Sequence, residues 1–241
     1  MSDELPRVAR LLWTGKQPSG RGPRPGLSLE RIVDAAVAIA DGEGIGALSM
    51  QRVASELGAA TMSLYRHVPG KDDLVALMLD STMSVPLDLP SGNWRAALDL
   101  WARRTRELYR DHPWVLGVGS SNRWMGPNEA AWAEAPMAVL LASGSPPGVA
   151  IEAVMSVNAF VGGVARLEID PALGRDVGGH VGPVLDPEMI RRYGRAERYP
   201  AMLAMLSDAP QEPNDSRSTA EAVFEFGLGT LLDGIAGRLD G

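Results

Sequence analysis

Apolar residues recur at helical spacing along almost the whole chain, and the two-residue alternation of a half-buried strand is scarce. Leu29, Ile32, Val33, Ala36 and Ala40 form one stripe. Ser28 opens it as a cap, Glu30 suits the positive helix end, and Gly42 is expected to close it. Ser49 caps a second run whose inner face is Met50, Val53, Ala54 and Leu57. Gly58 stops that run, since the residue past a helix end often needs positive φ. A third, short helix restarts at Thr61 or Ser63, with Leu64 and Val68 turned inward four residues apart. Thr61, Met62, Ser63, Tyr65, Arg66 and His67 then face outward. The turn Val68-Pro69-Gly70-Lys71-Asp72-Asp73-Leu74 opens another helix.

The rest of the chain continues in this way. Pro86 and Pro90 interrupt it, and Asn93 caps a helix to about Asp111. Trp94, Ala97, Leu98, Trp101, Thr105 and Leu108 make its inner stripe, with Arg95, Arg103, Arg106 and Arg110 outside. A break at His112-Pro113 follows, then a helix over 128–142 that tolerates Pro136. Pro146-Pro147 starts a helix to about Leu167 that is apolar almost all round: Val149, Ile151, Val154, Met155, Val157, Phe160, Val161 and Val164. Such a helix needs cover on every side, from a central position or from a second subunit. Glycine and proline make 171–187 a loop; short helices are expected at 187–193 and 199–207, with a further loop at 211–216. Ser218-Thr219-Ala220-Glu221 is a capping box for a last helix carrying Phe224, Leu228, Leu231, Ile235 and Leu239. Gly227, Gly234 and Gly237 interrupt it, each at roughly 1 kcal/mol relative to alanine unless another helix approaches closely. The fold class is therefore all-α. An N-terminal helix-turn-helix domain over 26–84 precedes a larger helical domain over 85–241.

Two small helices joined by a tight turn occur in many proteins that never touch DNA. Here the second presents hydroxyls, a tyrosine, an arginine and a histidine, which suit phosphates and base edges. Met62 suits a thymine methyl group, and Arg66 a guanine. Gln51 on the preceding helix is a further candidate. Lys71 starts the next helix, where its ammonium and unpaired N–H groups can clamp a phosphate; the plainer reading is a solvated side chain. Upstream, Arg7, Arg10, Lys16, Arg21 and Arg24 occur with no acid between them, among many glycines and prolines. Residues 1–25 read as a flexible basic arm for phosphates or a minor groove, or else as a solubilising tail. Arg21 and Arg24, next to the first helix stripe, are the better candidates, and Val8, Leu11 and Leu12 allow a short helical turn nearer the start.

The segments Leu48-Ser-Met-Gln-Arg-Val-Ala-Ser-Glu-Leu-Gly58, Ser63-Leu-Tyr-Arg-His-Val68 and Gly70-Lys-Asp-Asp-Leu74, in that order after a capped helix, resemble the DNA-binding domain of the tetracycline-repressor (TetR) family. The end of the chain, Phe224-Glu-Phe-Gly-Leu-Gly-Thr-Leu-Leu-Asp-Gly234, resembles the last helix of the tetracycline-repressor branch. The resemblance implies a homodimeric regulator, a repressor that binds a palindromic double-stranded DNA operator and is released by a small-molecule effector; the larger domain over 85–241 is then the effector-binding and dimerisation domain. It implies that helices near 146–168 and 218–239 build the dimer interface, through Val154, Val157, Val161, Phe224, Leu228, Leu231 and Ile235. Five of the six tryptophans fall between Trp94 and Trp132, accompanied by methionines. Trp114, Trp124, Met125, Trp132 and Met155 are the candidates for an effector pocket, whereas Trp94 and Trp101 sit on a regular stripe and read as core. The family's tetracycline-binding members use a histidine in this region to hold a magnesium–drug complex. Residues 115–127 contain none, so no metal site and no cofactor are assigned.

The net charge of −7 runs against DNA binding taken whole. A basic footprint need only be local, because screening limits each charge to about 8 Å at physiological salt. The arm, Arg52, Arg66 and Lys71 supply it. With no cysteine, thiolate chemistry and a disulfide frame are excluded. No leader and no unbroken apolar run of membrane-spanning length is read, so a soluble cytoplasmic protein without a membrane partner is expected. An enzyme on a helical scaffold has thin support: His67, His112 and His180 lack metal-ligand spacing, and Gly227-Leu-Gly229 lies inside a helix pattern. A helical ligand-binding protein without DNA recognition remains the alternative.

Overall fold

A computed structural model describes residues 7–14, 27–118, 123–169, 187–193, 196–208 and 219–239, and every regular element among them is helical. Ser28, Ser49 and Asn93 cap three helices as their side chains predict, accepting from the N–H groups of Arg31 (3.2 Å), Arg52 (3.1 Å) and Ala96 (3.0 Å). Each cap satisfies a donor that the helix itself cannot pair.

Helix α1 covers Arg7–Thr14, within the expected basic arm and where Val8, Leu11 and Leu12 allow a helical turn. Val8, Ala9 and Leu12 are buried, and this apolar seat explains why the segment is ordered. Helix α2, Leu29–Glu43, runs one residue past Gly42. Gly44, with φ +81°, ends it instead, because a positive φ is needed there. Helices α3 (Met50–Glu56) and α4 (Thr61–Leu64) follow, joined through Gly58 at φ +61°. Leu64 and Val68 are fully buried beneath α4. Helix α5, Lys71–Thr82, completes the first unit. Its core joins Ile32, Val53, Leu64, Leu74 and Met78.

The second unit is built on α6 (Trp94–Asp111), the short α7 (Val115–Val118), α8 (Pro127–Ala142) and α9 (Pro147–Ile169). The short α10 (Pro187–Tyr193) and α11 (Pro200–Asp208) precede the last helix, α12 (Thr219–Leu239). Helices α6, α9 and α12 pack together around Leu98, Trp101, Val157, Val161, Phe224 and Leu228. Full burial of such a side chain is worth about 1.5–3 kcal/mol. The loop at 171–186, the loop at 211–216 and the cap at Ser218 lie outside the described residues.

Three further expectations change. Arg106 is buried rather than outward, paired with Glu168 and, at 2.8 Å, with Glu221; its guanidinium lies 4.1 Å from the centre of the Phe224 ring. Helix α6 therefore has a second contact face, and burial of the charge is tolerated because carboxylates pair with it. Val154, Val157, Val161, Phe224, Leu228 and Ile235 are buried in the chain's own core, and Leu231 is half-buried. Spacing marks which positions are apolar but cannot say which stripe the chain's own helices cover. Helix α9 is long and apolar enough to cross a membrane. It packs instead among α6, α8 and α12, and the core helix of a folded domain meets the same test.

Candidate nucleic-acid interface and effector cavity

The outward surface of α3 and α4 carries most of the expected DNA contacts. Gln51, Tyr65 and Arg66 are exposed, and Met62 is 71% exposed despite its apolar side chain. Thr61, Ser63 and His67 are half-buried at the edge of the same short helix. One turn of helix cannot hold itself; α4 stands because Leu64 and Val68 anchor it below. Lys71 is exposed at the first position of α5, beside Asp72 and Asp73. Those acids already occupy the positive helix end and oppose an incoming phosphate. Burial pushes the Asp73 carboxyl up, and neighbouring Asp72 adds to it. Arg52 does not contribute to the basic footprint: Glu43 at 2.6 Å and Glu56 at 2.7 Å pair with it. Arg21 and Arg24 lie outside the described residues.

A cavity of about 430 Å³ opens between the end of α5 and helices α6, α8 and α9. Trp101, Tyr109 and Trp132 line it, with Met83, Met125, Met137 and Met155 around them. Both indole N–H groups are used within the protein: Trp101 donates to the Trp132 carbonyl at 3.0 Å and Trp132 donates to the Thr105 hydroxyl at 3.2 Å. The tryptophans thus offer a guest apolar surface rather than hydrogen bonds. Polar groups collect on one side. Tyr109 donates to Asn158 Oδ1 at 3.2 Å, and burial pushes its phenol up. Arg166 donates to the Leu116 carbonyl at 3.1 Å. Glu129 is held by two bonds from Arg123, each 2.6 Å.

Of the pocket candidates, Met125, Trp132 and Met155 line this space. Trp124 is 46% exposed and lies outside the lining. Trp114 is buried in the other core, and its indole donates to Asp41 of α2 at 2.7 Å. The turn after α6 folds onto α2, which draws Trp114 away from the cavity; His112 Nδ1 meets the same carboxylate at 2.8 Å. Trp101, read as core, serves both roles: it is 2% exposed and forms part of the wall. Tyr109, Glu129, Asn158 and Arg166 were missed. Asn158 and Arg166 carried a signal, as polar residues eight apart on one face of a largely apolar helix.

Asp80, in the last turn of α5, joins the two regions. Its buried carboxylate accepts from the backbone N–H groups of Asn128 (2.9 Å) and Glu129 (3.0 Å), and from Asn128 Nδ2 (3.1 Å). It therefore caps α8 from outside that helix. Burial pushes this carboxyl up, against the lowering effect of those bonds. Gly126 lies so close that a Cβ there would fall 2.1 Å from Asp80 Oδ1. Helix α5 thus starts beside the candidate DNA surface and ends on the cavity wall.

Residues 32–78 match the family model for bacterial regulatory proteins of the tetR family, and 85–239 match the tetracyclin repressor-like C-terminal domain. The chain belongs to the tetR family. It is a ligand-responsive, DNA-binding transcriptional regulator. This TetR-family chain is 39% identical over 246 residues to the HTH-type transcriptional repressor DrrR1 of Streptomyces coeruleorubidus, covering 97% of this chain and 86% of the relative. It is 25% identical over 223 residues to the class E tetracycline repressor of Escherichia coli, across 89% of this chain and 93% of that one. The crystal structure of ActR from Streptomyces coelicolor, in complex with (S)-DNPA, aligns with a TM-score of 0.69 and 26% identity, over 88% of this chain and 99% of ActR.

Proposed function

We propose that the protein is a cytoplasmic homodimeric repressor that leaves its operator when a small, largely aromatic effector fills the cavity between α5, α6, α8 and α9. The observation that carries this is the cavity wall itself: aromatic side chains with their polar atoms already satisfied, methionines that adapt to shape, and polar groups gathered at one side. Such a wall suits a planar, mostly apolar molecule with an acceptor-rich edge near Arg166 and Asn158. Repression follows the relative named DrrR1, a transcriptional repressor, and small-molecule control follows ActR, crystallised with (S)-DNPA.

On DNA, Gln51, Thr61, Met62, Ser63, Tyr65, Arg66, His67 and Lys71 are the contact residues of this proposal, with Arg21 and Arg24 added from the N-terminal segment. Two copies related by a two-fold axis would read half-sites about one helical turn apart, roughly 34–36 Å. The face for that pairing is the exposed stripe of α12, where Phe226 is 79% exposed, together with Ile151 on α9. Among the described residues, nothing beyond the helix's own backbone and chain neighbours lies within 4 Å of where a Cβ on Gly229, Gly234 or Gly237 would sit, which leaves room for a second helix. Selection of binding sites from random DNA, followed by footprinting, tests the reading. A two-fold footprint lost on adding a ligand that quenches tryptophan fluorescence supports it; failure to enrich any sequence refutes it.

A further inference from the structure

Helix α1 precedes both regions matched by the family models, 32–78 and 85–239. Its seat is apolar: Val8 and Leu12 enter the first core, Ala9 is also buried, and the helix packs on α5. Its two ends reach different parts of the molecule. At the first, Arg7 Nη2 donates to the Arg66 carbonyl at 2.9 Å, in the turn that follows α4. At the other, Trp13 Nε1 donates to the Met125 carbonyl at 3.1 Å, and Met125 lines the cavity. Trp13 is 56% exposed, so its ring is not core filling; the fixed contact is its N–H.

We propose that α1 is a strut coupling the cavity rim to the recognition helix, with Arg7 and Trp13 as the positioning residues at its two ends. This rests on the reading of the cavity as the effector site. Six steps of helix separate the two residues, about 9 Å at 1.5 Å per residue, and the hydrogen-bonded helix resists change in that distance. A guest that moves Met125 either breaks the Trp13 bond or draws α1 with it. Both alter the support that Arg7 gives the Arg66 carbonyl. The Arg7 bond is charge-assisted and is the stronger of the two. Because Asp80 provides a separate connection to the same wall, loss of the strut weakens the coupling without abolishing it.

The test uses the full-length chain and an operator selected from random DNA, with affinity read by fluorescence anisotropy at fixed salt. Ala133 lines the cavity, and Ala133→Leu stands in for an occupant. It is expected to weaken operator binding at least about fivefold, the lower end of ordinary allosteric coupling. In Trp13→Phe and Arg7→Ala backgrounds the same change is expected to weaken binding only about twofold. An equal loss in all three backgrounds overturns the strut while leaving the cavity reading intact. No loss in the parent protein, with Ala133→Leu or the larger Ala133→Phe, removes the cavity reading and the strut with it. Should circular dichroism show that the filled variants unfold, 1-anilinonaphthalene-8-sulfonate is titrated into the unfilled proteins, and the same comparison decides.

Discussion

Tyr65 and Met62 project from a helix of one turn whose only firm anchorage is below, through Leu64 and Val68. Their exposure costs stability little to change, so function and folding separate cleanly there. Tyr65→Ala is expected to weaken specific operator binding by about 1–3 kcal/mol, the size of one good base contact. Its melting temperature should match the parent's by calorimetry; unchanged affinity would remove Tyr65 from the interface. Asp80 is the opposite case. Asp80→Ala strands the N–H groups of Asn128 and Glu129, and each buried orphan is worth about 1–3 kcal/mol. Thermal unfolding should show that loss, and a variant as stable as the parent would mean that water replaces the carboxylate. The outward residues of α4 were legible because a four-residue interval between Leu64 and Val68 fixes the opposite face. Asp80, Asp41 and Trp13 were not, because their partners lie 48, 71 and 112 positions away and no local spacing reveals them.

At the level of elements, the helix starts were legible wherever a side chain caps its own helix, as Ser28, Ser49 and Asn93 do. Ends and faces were less so, since Gly42 and Gly44 carry the same side-chain information, and an all-round apolar helix does not declare its partner. Glycines in α12 divide on this point. A Cβ on Gly227 would fall 2.3 Å from Phe160 Cε2, so Gly227→Ala is expected to destabilise by about 1–3 kcal/mol of overpacking. Helix propensity alone gives the opposite sign, a gain of about 1 kcal/mol. Chemical denaturation decides between them. The α6–α12 contact also has an acid limb. Arg103 holds the Glu225 carboxyl below its ordinary value of 4.5, through bonds of 2.5 and 3.0 Å. The unfolded chain then takes up a proton that the native state refuses, so this contribution is complete above the ordinary value and is lost as pH falls through the lowered one. Glu225→Gln should make stability less dependent on pH below about 4.5 in urea titrations, and an unaltered acid limb would show that the pair is too solvated to matter.

For the molecule as a whole, a net charge of −7 is compatible with DNA binding if the basic surface is presented on one side. The proposed homodimer would repeat that surface, so it calls for its own test. The buried residues of α12 cannot test it, because a charge at Ile235, 8% exposed in the chain's own core, would damage folding before it touched association. Phe226, 79% exposed on the same helix, separates the two effects. If its face is the pairing face, Phe226→Glu places a like charge on each copy, in apolar surroundings, where the copies meet. The expected result is a folded monomer by sedimentation with a native far-ultraviolet spectrum. Its affinity for one half-site should be close to the parent's, and its affinity for the complete two-fold operator should fall by orders of magnitude, because the second contact is no longer linked to the first. Ile235→Glu should instead lose helicity and stability together. A Phe226→Glu protein that still sediments as a dimer would move the interface off this stripe, and the glycines that face outward along α12 would then need another explanation.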